Sequence, residues 1–482
     1  MRSLIDRLAR LLPKHRFVRS VSILAGGTAL AQGLGILVAP ILTRLYSPDQ
    51  FGILAAFAAL LAIVSVVSTL RYEFALPLPA SDLEAAHVLG LSLLAVVLTA
   101  LLTSVLLLFW GDTLAVQLGL PVMAPYLWLL PIGILLAGSY EALIYWAIRL
   151  RAFPLIARTK FYQVFTLFAV QLAGFSLGSL GLLLGHMAGH GAGALSMVSL
   201  VARERWSLIR QLRLSELRRL AYRYRRFPLF STWSGGFNTL SSHVPPLLLV
   251  ALFNPAAAGL YALSHRVLAM PMSMVGQAVS DAFFSEAAEA HRNGRLPGLT
   301  LSIYEKLVQI AMPPAFLLML IGPELFALVF GPEWRMGGEF AQWMAPWLLF
   351  QFISSPLSLL FDVLERQPEE MIFQLTLLVS RVTALLLGSW WIGDLTWTVA
   401  LFALTSAICY FGKLVWLFML TLHDWRPLCR PLLLSFGWAS LLASPVLLAE
   451  GLDVPVELWF AGIGLALALI AVRYLSLLRA VW

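Results

Sequence analysis

Uninterrupted apolar stretches of about twenty residues recur along nearly the whole chain, and they leave few folds open to it. Such a stretch is the length at which an α-helix crosses roughly 30 Å of hydrocarbon. Backbone groups at that depth find no water, so each stretch must satisfy its own hydrogen bonds as a helix. Fourteen segments read as spans, at about 21–43, 51–76, 87–109, 125–148, 161–180, 182–202, 228–252, 259–284, 300–321, 339–364, 371–391, 395–420, 432–449 and 456–473. Of the 482 residues, 60% are hydrophobic and only 12% charged, whereas a water-soluble domain carries about a quarter charged residues. The expected fold class is an all-α polytopic membrane protein, and a soluble enzyme is excluded. Residues 21–43 exceed the apolar core of a cleavable signal peptide and read as a retained first span.

The net charge of +8 would suit nucleic acid, but the placement of the cations argues against that partner. With the N-terminus inside, 26 of the 33 Lys and Arg fall in segments on the cytoplasmic side, against Arg44 and Arg335 outside. The positive-inside rule therefore puts both termini in the cytoplasm. The two cysteines, Cys409 and Cys429, indicate no disulfide framework, and neither a metal-ligand pattern nor a cofactor motif is recognised. His186 and His190 have i, i+4 spacing, but no third ligand is evident. The glycines around them, Gly185, Gly189, Gly191 and Gly193, point to close helix packing.

Residues 45–55 (LYSPDQFGILA) recur as 252–262 (LFNPAAAGLYA), with Pro48 matching Pro255 and Gly52 matching Gly259. Each copy joins the first two spans of a six-span block. A proline stops a helix and a glycine permits tight re-entry. Pro131 opposite Pro346 and Arg151 opposite Arg366 form a weaker echo. Six spans per half give both halves one orientation, with an axis along the membrane normal and a cavity between lobes. The expected organisation is an N-lobe at 1–202, a basic cytoplasmic linker at 203–227, a C-lobe at 228–421 and two extra spans in 422–482. The linker arginines are solvated or touch anionic headgroups.

A charge near the bilayer centre costs about 2.5–3.5 kcal/mol on insertion scales, so it tends to face a wet cavity or a partner. Arg71 and Glu73 end the second span, Arg266 lies early in the eighth, Arg381 is mid-span in the eleventh and Lys413 lies in the twelfth. Arg44 caps the first. Arginine suits a bidentate grip on phosphate oxygens, so Arg44, Arg71, Arg266, Arg381 and Lys413 are candidate contacts for an anionic substrate such as a pyrophosphate. Among the acids Glu73, Glu141, Asp281 and Asp362, the first three are candidates for coupling to protons or sodium. Glu141 has no partner in its own helix.

Thr43–Gly52 (TRLYSPDQFG) and Leu70–Pro77 (LRYEFALP) resemble the corresponding stretches of bacterial polysaccharide repeat-unit flippases, the O-antigen and exopolysaccharide branch of the multidrug/oligosaccharidyl-lipid/polysaccharide exporter superfamily. So do Tyr145–Arg151 (YWAIRLR), Ile156–Lys160 (IARTK), Phe227–Pro228, Tyr261–Leu268 (YALSHRVL) and Gly276–Val279 (GQAV). The resemblance implies two six-span lobes, often with two further spans, around a cationic cavity. It implies translocation of undecaprenyl-pyrophosphate-linked oligosaccharide across the inner membrane by alternating access. Arg44, Arg71 and Arg266 stand at its motif positions. Membrane lipids are expected partners, and a polysaccharide polymerase and chain-length machinery are candidates. The competing readings are a cation-coupled drug or metabolite antiporter of the same superfamily and a membrane polysaccharide polymerase. An antiporter is expected to carry acids in its N-lobe cavity, and 21–43 has none. A polymerase needs larger outer loops than 110–124 and 322–338.

Overall fold

The computed structural model describes residues 16–204, 211–452 and 455–481. These residues are almost wholly helical. In chain order the helices are α1 (Arg16–Leu45), α2 (Pro48–Ser68), α3 (Asp82–Gln117), α4 (Leu129–Arg149), α5 (Phe153–Ala173), α6 (Ser179–Glu204), α7 (Leu214–Arg223) and α8 (Thr232–Leu252). They continue as α9 (Pro255–Arg292), α10 (Leu296–Phe330), α11 (Arg335–Leu357), α12 (Gln367–Leu387), α13 (Leu395–Leu422), α14 (Cys429–Leu442), α15 (Ser444–Gly451) and α16 (Val456–Val481). Eight helical stretches among the described residues are long and apolar enough to cross a membrane by themselves. Large apolar side chains such as Leu108 and Phe109 are exposed along them, as expected where lipid is the solvent. This is a multi-pass membrane protein.

The chain divides into two compact units, Met1–Gly259 and Leu260–Trp482. In the first, α1 packs on α5, α5 on α6, and α2 on α4, α6 and α8. In the second, α11 packs between α10 and α13, with α12 along α13 and α14 along α10. The second unit is centred on buried aromatics including Tyr304, Phe361 and Phe418.

The sequence repeat has a structural counterpart at the starts of α2 and α9. Ser47 and Gln50 form a reciprocal cap, Gln50 N–H donating to Ser47 Oγ at 3.4 Å and Ser47 N–H donating to Gln50 Oε1 at 3.0 Å. At the second copy Ala257 N–H donates to Asn254 Oδ1 at 2.8 Å. Each helix thus begins on a side-chain cap with proline at its first position, where the missing N–H costs nothing. One turn later the helices touch reciprocally. A Cβ on Gly52 would collide with the Pro255 carbonyl, and a Cβ on Gly259 with the Pro48 carbonyl.

Two expected spans differ in the structure. The one at 432–449 is broken into α14 and α15, because Ala443 ends α14 and Pro445 lies in the first turn of α15. The one at 51–76 stops at Ser68, with consequences described below. By contrast, α10 continues through Pro313 and Pro314. Proline at 314 removes the N–H that would bond Ile310 O, and Tyr474 of α16 donates to that carbonyl at 2.5 Å instead. Tyr474→Phe is therefore expected to lower stability by about 1 kcal/mol, the usual net worth of one hydrogen bond. Thermal unfolding in detergent checks this; an unchanged transition would mean the carbonyl needs no partner.

Candidate functional site

Beyond Ser68 the chain reverses without a glycine. Leu70 and Arg71 both adopt left-handed backbone conformations, with φ of 50° and 59°, and Tyr72–Ala75 follow as a tight helical turn. Such a conformation costs a non-glycine residue about 1–3 kcal/mol and persists only where the surroundings over-determine it. Here they do. Tyr72, Ala75 and Leu76 are buried in a cluster with Leu89, Leu143, Trp146 and Leu220. Arg149, at the end of α4, donates to the carbonyls of Leu76 at 3.3 Å and Pro79 at 2.8 Å, and pairs with Asp82 at 3.2 Å. Phe74 meets Tyr145 edge-on at 5.0 Å.

The reversal points Arg71 and Glu73 into a cavity of about 490 Å³ within the first unit. Its other polar walls include Tyr140 and Glu141 from α4, Gln163 from α5, His186 and His190 from α6, and Thr239 and His243 from α8. The Arg71 guanidinium lies 5.0 Å from the Phe74 ring centre and occupies space that a side chain at Gly235 would fill. Its contact with Glu73 is long, 3.7 Å. Arg71 Nε and Glu73 Oε2 are buried with no hydrogen-bond partner. A loosely engaged ion pair with spare donor and acceptor capacity, facing open volume, is suited to exchanging one anionic partner for another.

Of the five cations singled out in the sequence, only Arg71 lines this cavity. Arg44 is exposed at the last turn of α1. Arg266 is half-buried on α9. Arg381 and Lys413, expected to face a wet cavity, are instead enclosed, at 5% and 4% exposure. Arg381 Nε donates to Ser406 Oγ at 3.0 Å, and its guanidinium lies 4.7, 5.5 and 5.9 Å from the ring centres of Trp347, Phe402 and Tyr410. Lys413 pairs with Glu370 at 3.0 Å and sits 4.4 Å from the Phe373 ring centre. Aromatic faces attract a desolvated cation, so these two charges are accommodated inside the protein. Removing Glu370 strands the Lys413 ammonium, and breaking such pairs costs about 3–5 kcal/mol. Glu370→Ala is expected to destabilise by that order, whereas Lys413→Met leaves Glu370 reachable by water and costs less. Unfolding midpoints of the two variants check the asymmetry; equal losses would sink it.

Of the acids, Glu73 and Glu141 line the cavity, Asp362 is exposed in the turn before α12, and the side chain of Asp281 lies outside the described residues. The histidine pair does more than the packing expected of its segment. Gly185, Gly189 and Gly193 do pack α6 closely against α5, but His186 and His190 project the other way, into the cavity, with ring centres 5.0 Å apart. Their i, i+4 spacing carried the signal; His243, on a helix far along the chain, carried none. Among the described residues no three potential ligands cluster as a metal site.

A family model described as "Polysaccharide biosynthesis protein" matches residues 41–336. No curated protein matches the sequence. Among solved structures, "Lipid II flippase MurJ, inward closed conformation" superimposes with a TM-score of 0.72 at 13% identity, over 95% of this chain and 99% of that one. An inward-facing multidrug resistance MATE family transporter of the MOP superfamily gives 0.58 at 14% identity, over 81% and 95%. An outward-facing MATE structure gives 0.52 at 14%, over 84% and 96%. At such identities the likeness is one of fold.

Proposed function

The chain belongs to the polysaccharide biosynthesis protein family, and from there we propose that it flips a lipid-linked oligosaccharide across the bacterial inner membrane. The observation that carries this reading is Arg71, held by a strained turn at a polar cavity inside an otherwise apolar bundle. The pyrophosphate of an undecaprenyl-linked repeat unit binds Arg71 in place of Glu73, the sugars occupy the cavity, and the polyprenyl chain stays in lipid. Losing Arg71 leaves Glu73 a buried carboxylate without its counter-charge, a state relieved by taking up a proton or cation. Substrate and ion are thereby linked through one side-chain pair, with Glu141 as a second acceptor. In this reading 1–202 and 228–421 are lobes that alternate in access, 203–227 connects them, and 422–482 supplies two further spans. The 26-to-2 bias of Lys and Arg supports cytoplasmic termini.

Glu73 and Glu141 in the first unit's cavity favour a second reading, a cation-coupled antiporter. Expression in a strain lacking its own repeat-unit flippase, with glycosyltransferases matched to the repeat unit, distinguishes the two. Restored surface polysaccharide supports the flippase. Resistance to organic cations with no polysaccharide would overturn it in favour of the antiporter.

A further inference from the structure

Helix α7 lies between the spans α6 and α8, on the side of the chain that carries most of the cations. Its inner face is docked firmly. Leu220 and Tyr224 are buried in the cluster that holds the Arg71 turn, and Tyr72 Oη donates to the Ala221 carbonyl at 3.3 Å. Arg219 pairs with Glu84 of α3 at 3.0 Å. At the start of the helix His87 Nε2 accepts from the Arg213 N–H at 3.2 Å, while its Nδ1 bonds Leu83 O at 2.7 Å.

The outer face is built differently. Arg218 on α7, and Arg225 and Arg226 just past its end, are exposed and form no ion pair among the described residues. Beside them Leu214 and Tyr222 are 79% and 68% exposed, and the Arg225 guanidinium lies 4.2 Å from the Tyr222 ring centre. Unpaired arginines interleaved with an exposed leucine and tyrosine make a poor water-facing surface. They suit the headgroup layer, where cations meet phosphates and apolar groups meet acyl chains.

We infer that the outer face of α7, with the two arginines just past its end, binds anionic phospholipid headgroups, and that a bound headgroup steadies the Arg71 turn through the Tyr72–Ala221 contact. The charge is complementary, the exposed apolar side chains are those an interface tolerates, and the inner face of the same helix is already attached to the strained residues. Headgroup binding thus acts on the turn without touching the cavity. The inference requires no particular transported substrate, so it stands or falls separately from the flippase reading.

The test uses the full-length protein in nanodiscs of phosphatidylcholine, with or without phosphatidylglycerol. Bound lipid is counted by native mass spectrometry, and amide exchange is followed over residues 69–78. Phosphatidylglycerol should be retained in preference to phosphatidylcholine and should slow that exchange severalfold. Replacing Arg218, Arg225 and Arg226 by glutamine should weaken retention about fivefold per arginine and abolish the slowing, while lysine at the same positions restores both. Tyr72→Phe should keep the lipid and lose the slowing. Equal retention of the two lipids, or full retention by the glutamine variant, would overturn the binding surface. Lipid binding that leaves exchange over 69–78 unchanged would overturn the coupling.

Discussion

Arg71→Ala is expected to abolish surface polysaccharide in a strain that depends on this chain, while the protein remains in the membrane at normal abundance. Two charge-assisted hydrogen bonds to a phosphate are worth about 3 kcal/mol or more together, over a hundredfold in affinity. Arg71→Lys keeps the charge but loses the planar fork, so export should fall between alanine and wild type. Arg71→Gly separates backbone from side chain. Glycine adopts φ near 59° without penalty, so this variant should be more stable than Arg71→Ala by about 1 kcal/mol and equally inactive. Export is read by immunoblotting surface polysaccharide, and stability by thermal unfolding in detergent. Unimpaired export by Arg71→Ala would remove the arginine from the mechanism and leave the two cavity carboxylates as the functional groups.

Gly52→Val is expected to be among the most destabilising single changes in the protein. The reciprocal contact between the first turns of α2 and α9 places backbone carbonyls where side chains would stand, and backbone cannot rotate away as a side chain does. Inserting bulk into a packed site typically costs about 1–3 kcal/mol; with a carbonyl as the obstacle, a loss of about 3 kcal/mol or more is expected. Gly259→Val should behave alike, because the contact is symmetric. Gly412→Ala, on α13 with open space around it, is the control and should leave the unfolding midpoint unchanged or slightly raised. A wild-type midpoint for Gly52→Val would show that α2 and α9 separate easily at this point.

The repeat shows how much can be read from sequence when a local motif has a local cause. Pro48 and Gly52, with Pro255 and Gly259, mark helix starts and small contact positions by their chemistry alone, and the helices begin where the prolines stand. Pro445 likewise accounts for the break after α14. The end of α2 could not be read this way. No glycine or proline stands at 69–71, and the reversal is imposed by Arg149, Tyr145 and Leu220, all more than seventy residues distant along the chain.

The cations make the same division. Their intramembrane positions are evident from hydropathy, because a charge in an apolar run is costly wherever it falls. Whether that cost is met by water or by protein is not encoded nearby. Arg381 meets Trp347 and Phe402, Lys413 meets Glu370 and Phe373, and Arg71 alone of the three faces an open cavity.

Membrane residence, the helical class and the repeat are legible residue by residue, because bilayer thickness and backbone hydrogen bonding act on each segment separately. Which buried charges face open volume and which are enclosed emerges only in the folded chain, because it depends on the side chains that distant segments bring alongside them.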